Sequence, residues 1–112
     1  MIESIVIDYL EQYVPAYGEE PEKFPADGRC VIVEKTGGGA EAPGIRKATL
    51  AVQCYGNTLA EAAQLSEDVI GYMEAFATLP EVSRCEVNSS YNRTDDRKKR
   101  YRYQAVFVIT YY

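Results

Sequence analysis

Between Lys47 and Cys54 the chain alternates, with Ala48, Leu50, Val52 and Cys54 on one side and Lys47, Thr49, Ala51 and Gln53 on the other. A period of two is that of a strand with one buried face. Gly56 and Asn57 break it, and Thr58 stands where a helix N-cap is needed, with Glu61 three residues on in the capping-box position. The spacing then changes to steps of three and four: Leu59, Ala62, Ala63, Val69, Ile70, Met73, Phe76 and Ala77, with Ser66 on the same face. That broad stripe predicts a helix lying on a sheet and running to Leu79, where Pro80 stops it. Leu65, Tyr72 and Leu79 recur at seven residues and make a second flank beside the stripe. The flank either packs on another helix of the same chain or meets another subunit.

The same reading covers the rest of the chain. Residues 2–14, IESIVIDYLEQYV, carry Ile2, Ile5, Val6, Tyr9, Leu10 and Tyr13 at helical spacing, and Pro15 ends the stretch. Residues 15–28 hold three prolines and four acids among them and read as a loop, with Phe24 tucked in to hold it. A strand follows over 29–36, then GGGAEAPG at 37–44, read as a mobile loop that makes its contacts on assembly. Its glycines, Gly37, Gly38 and Gly39 among them, precede a strand, so the helix N-terminus that a phosphate cradle uses is missing. Two further strands, 83–92 and 100–112, form a hairpin. Pairing their apolar positions sets Cys85 against Ile109, Val87 against Phe107, Ser89 against Ala105 and Tyr91 against Tyr103. The last strand is apolar on both faces toward its end, which makes it central or covered twice. The predicted order is α-β-β-α-β-β: one α+β domain, 1–112, with a mixed, mostly antiparallel four-stranded sheet and two helices on one face.

Composition narrows the chemistry. There is no histidine, and Cys30, Cys54 and Cys85 fall singly in three strands, which reads as buried thiols rather than a metal site. No catalytic set, cofactor site or metal site is expected. The net charge of −5 disfavours free nucleic acid as a ligand. No apolar run is long enough to span a bilayer, and 1–14 has three acids and no base, so no membrane and no signal peptide are expected. The densest charge is Asp95, Asp96, Arg97, Lys98, Lys99 and Arg100, either a solvated hairpin tip or a docking loop. Ten tyrosines without a tryptophan suit a protein–protein surface.

The N-terminal helix MIESIVIDYLEQYV, the strand–turn–helix KATLAVQCYGNTLAEAAQLSEDVI and the closing strand YRYQAVFVITYY together resemble the tail terminator (tail completion, head–tail joining) proteins of long-tailed bacteriophages and prophages. The resemblance covers nearly the whole chain. It implies a structural virion protein of the tail and neck, made in the bacterial host cytoplasm and not an enzyme. It further implies a homo-oligomeric ring, typically a hexamer, that caps the tail tube and joins it to the head–tail connector protein. DNA would pass nearby without specific binding. Leu65, Tyr72, Leu79, Gly37, Gly38, Gly39, Arg97, Lys98, Lys99 and Arg100 are the expected contact residues. Another ring of the same neck, a head-closure or tail-tube subunit, fits the same features, and a ferredoxin-like small-molecule-binding domain is the rival from another class.

Overall fold

A computed structural model describes residues 2–94 and 100–112. The elements are α1 (Ile2–Leu10), β1 (Ala16–Tyr17), β2 (Cys30–Ala42), β3 (Ile45–Gly56), α2 (Leu59–Phe76), β4 (Val82–Asn92) and β5 (Tyr101–Tyr111). The class is α+β, and the sheet is mixed with five strands in the order β1-β2-β3-β5-β4. The fifth strand is β1, two residues from the proline-rich stretch that reads as loop; it pairs parallel with Val31 and Ile32. So short a strand leaves no periodicity to detect. Every other pairing is antiparallel.

The two alternations that dominate the sequence meet in the core. Ala48, Leu50, Val52 and Cys54 of β3 are wholly buried, beside Val31 and Val33 of β2 and Ala105, Phe107 and Ile109 of β5. The apolar stripe of α2 covers them through Val69, Met73 and Phe76, joined by Leu65 of the flank, and α1 adds Ile2, Val6 and Leu10. Helix α2 lies across β3, β5 and β4, while α1 lies over β1 and β2. Thr58 caps α2 as its neighbours suggest: its hydroxyl accepts from the Glu61 amide at 3.1 Å, and Glu61 accepts from the Asn57 amide at 3.0 Å. The helix ends at Phe76, three residues short of Leu79, in a turn where the Thr78 hydroxyl donates to the Ala75 carbonyl. Proline disfavours helical backbone in the residue before it and has no N–H to continue the ladder, so the helix closes ahead of Pro80. Likewise α1 stops at Leu10, and a tighter turn carries the chain to Val14.

The glycine-rich stretch is not a loop. Gly37, Gly38, Gly39 and Ala40 pair in β2 with Thr49, Ala48, Lys47 and Arg46 of β3, across register shifts at Thr36 and Glu41. The reversal is confined to Pro43 and Gly44, with Gly44 at φ 78°. Proline then glycine with positive φ is the residue order of a type II turn. That dipeptide is the local signal for the hairpin, and the preceding glycines mask it.

The β4–β5 register holds for half its length. Cys85 faces Ile109 and Val87 faces Phe107, then a bulge at Asn88 shifts the pairing to Ser89–Val106, Ser90–Ala105 and Tyr91–Gln104. One extra residue turns every later side chain over. Ser90, not Ser89, therefore points at the helices and meets Ser66 (Oγ–Oγ 3.1 Å), while Tyr91 moves to the other face and accepts from the Gln104 amide. Strand β5 is central, between β3 and β4. No helix covers its second face, where Val106 and Val108 are half-buried among Ala51, Thr49 and Thr110.

Candidate functional site

No deep site forms among the described residues; the candidate surfaces are the two sheet edges, the uncovered sheet face and two shallow hollows at the β2–β3 turn. The larger hollow, about 630 Å³, is lined by Lys35, Gly38, Gly39, Arg46, Lys47 and Tyr111. Gly38 has a role here, because a Cβ at this position would lie 2.9 Å from both the Lys35 Cε and the Lys47 carbonyl. The glycine lets Lys35 lie across the strand. The second hollow, about 310 Å³, shares Arg46 and Tyr111 and adds Glu81 to a mostly apolar wall of Ile2, Ile5, Val82 and Tyr112. Ile5 is 41% exposed and Tyr112 66% exposed.

The flank expected at an interface is occupied inside the subunit. Leu65 is buried in the core, and Tyr72 and Leu79 are half-buried against it. Tyr72 stacks on Tyr13 with ring centres 4.0 Å apart, and its carbonyl accepts from the Tyr9 hydroxyl at 2.7 Å. Of the two sequence readings of this flank, the structure adopts packing on the first helix. A heptad of apolar residues on a helix does not say whether its partner lies in the same chain.

Of the charged hairpin tip, Arg97, Lys98 and Lys99 lie outside the described residues. Arg100 is engaged within the subunit: its guanidinium bonds Glu20 at 2.6 Å and sits 3.8 Å above the Phe24 ring. Phe24 in turn packs edge-on against Tyr55, 5.1 Å between ring centres. Residues 18–28 thus form a strap over Cys30, Ile32 and Tyr55, a small second cluster on the sheet face away from the helices. Gly28 turns the strap at φ 69°, and the Asn57 amide donates to the Asp27 carbonyl at 2.7 Å.

The three thiols are free, Cys30 and Cys54 buried and Cys85 half-buried. Burial pushes the Cys30 thiol up to about 11, against an opposing pull from Arg100, and Cys85 to about 11 with help from Glu86. Burial raises Cys54 further still. Among the described residues no three Cys, Asp or Glu side chains gather into a metal-binding group, and no helix is long and apolar enough to cross a membrane. No protein-family model matches the chain, and no curated protein matches it in sequence.

Proposed function

We propose that this chain is a structural subunit of a bacteriophage or prophage tail, a tail terminator that forms a ring on the tail tube and joins it to the head connector. One observation carries the reading: a single subunit leaves much of its sheet unpartnered. Among the described residues β4 has no strand on its outer side, β2 has none beyond Ile32, and the face of Val106 and Val108 has no covering layer. Long free edges are templates for pairing with another chain, and isolated proteins usually blunt them. The resemblance in element order and wording supports the same reading. A chain with net charge −5 also suits a channel through which DNA slides, because like charge keeps the duplex from sticking.

The test is electron microscopy of the purified protein, alone and mixed with tail tubes lacking their end ring. Rings in solution, or an added disc at one end of the tubes, support the reading. Bare tube ends together with a monomeric protein at high concentration would remove it. Discs inserted along the tubes instead would move the subunit to the tube itself.

A further inference from the structure

The outer edge of β4 is complementary to itself, and we propose that two copies of this chain pair there, antiparallel, about a two-fold axis at Cys85. Among the described residues β4 has a neighbouring strand, β5, on one side only. Register shifts at Ser83 and Asn88 leave residues 84–87 as the regular part of that edge. Strand β5 sets which backbone groups point outward. The Arg93 amide donates to the Arg102 carbonyl, and the β5–β3 pairing is unbroken, so the even-numbered residues of β5 turn their backbone groups toward β4. Arg84 and Glu86 pair with Thr110 and Val108 and are thus bonded inward. Cys85 and Val87 alternate with them and turn their amides and carbonyls to the free side.

Side-chain charge then selects one register. Arg84 and Glu86 lie on the face away from the helices, with side-chain exposures of 69% and 62%, and meet at 3.6 Å within the strand. With Cys85 opposite Cys85, Arg84 of each copy stands against Glu86 of the other, and the four charges alternate in sign around a square. Moving the strands by two residues sets Arg84 against Arg84 or Glu86 against Glu86, and like charges directly opposed are destabilising. Moving them by one sets the outward groups of Cys85 against the inward groups of Arg84, and the ladder is lost. On the helix face the Cys85 register brings two free thiols together beside Val87, which is 48% exposed. Cys85 and Val87 wall a shallow apolar groove with Ile70, Met73 and Phe107, and the exposed Glu74 at its rim keeps its charge in water. The two sheets become one, with the helices of both copies on the same side. A two-fold contact closes with two copies. It therefore stands apart from the proposed tail function, whose ring uses a different, head-to-tail contact.

Charge swaps test the register by sedimentation equilibrium, with circular dichroism checking that the fold is kept. The parent should dimerise. Arg84→Glu alone and Glu86→Arg alone should each dimerise about tenfold more weakly, because two attractive cross-strand pairs become two repulsive ones. An equimolar mixture of the two should recover the parent's affinity as a heterodimer, and the double variant, Arg84→Glu with Glu86→Arg, should match the parent. Diamide should link the parent through Cys85, since opposed residues in a hydrogen-bonded pair stand about 5.5 Å apart at Cα, within disulfide reach. Cys85→Ser should lose the link and keep the dimer. A parent that is monomeric at millimolar concentration, single variants that dimerise as the parent does, or a mixture no tighter than its components would overturn the contact. The disc on tube ends tests the tail reading separately.

Discussion

The rings of Tyr13 and Tyr72 stack 4.0 Å apart with their planes 9° from parallel, and this pair ties the turn after α1 to α2. Tyr9 adds an edge contact to Phe76 at 5.1 Å and a hydrogen bond to the Tyr72 carbonyl. Aromatic pairs contribute roughly 0.5–1.5 kcal/mol beyond their buried area. Tyr72→Ala should therefore lower stability by about 2–3 kcal/mol in urea unfolding, and Tyr72→Glu by more, since it places a charge against the core. Tyr9→Phe, which removes only the hydroxyl, should cost about 1 kcal/mol. A folded Tyr72→Glu monomer with parent stability would show that α1 does not dock as described.

The bulge at Asn88 predicts a coupling between two serines. Ser66 is buried and shares a hydrogen bond with Ser90, which reaches the helix face only because the register has slipped. Ser66→Ala should cost about 1 kcal/mol, as should Ser90→Ala. The double variant should cost less than the sum, because Ser90→Ala alone leaves the buried Ser66 hydroxyl without its partner, whereas the exposed Ser90 can turn to water. With Ser89 facing the helices instead, Ser90→Ala would be neutral and the cycle would show no coupling.

How much of this was legible in the sequence follows from where each signal is local. The faces of β3 and α2 repeat over many residues, so Leu50, Val52, Val69, Met73 and Phe76 were identifiable as core by period alone. Thr58 and Glu61 are a capping pair at fixed spacing. The Asn88 bulge has no such signature, since an extra residue inside a polar stretch changes no period until the partner strand is known. Leu65 and Tyr72 show the same limit on a helix: the repeat reveals an apolar flank, and only the position of α1 reveals its occupant. The free edges were the least legible, because β2 and β4 become outer strands only once the strand order is known.

Thiol ionisation gives a pH dependence with a definite sign. Cys30 and Cys85 have their thiols raised to about 11 by burial, so the folded state favours the protonated form. The associated stability is fully present below the ordinary thiol value near 9 and is lost as pH rises from there through about 11. Urea midpoints should be flat from pH 6 to 8 and fall between 9 and 11. At pH 8 a thiol reagent should modify Cys30 and Cys54 only as fast as the protein opens, and urea should accelerate both. Immediate reaction of Cys30 and Cys54 in the native protein would contradict their burial.

Arg100 should act as the latch of the strap. Its ion pair with Glu20 is about half exposed, with side-chain exposures of 39% and 48%, and contributes little alone. Its position over Phe24 adds a cation–π attraction of roughly 0.5–1 kcal/mol at such a site, and Phe24 covers Tyr55. Arg100→Gln should cost about 1 kcal/mol and speed hydrogen exchange in residues 18–28, with α2 unchanged. Phe24→Ala should open the same segment further, by exposing Tyr55 and Ile32. The two differ in salt: 1 M sodium chloride should reproduce part of the Arg100→Gln effect in the parent by screening the ion pair, and should leave the apolar contact of Phe24 in place. If Arg100→Gln leaves exchange in 18–28 at the parent rate, the strap is held by Phe24 and the Asn57–Asp27 bond without it.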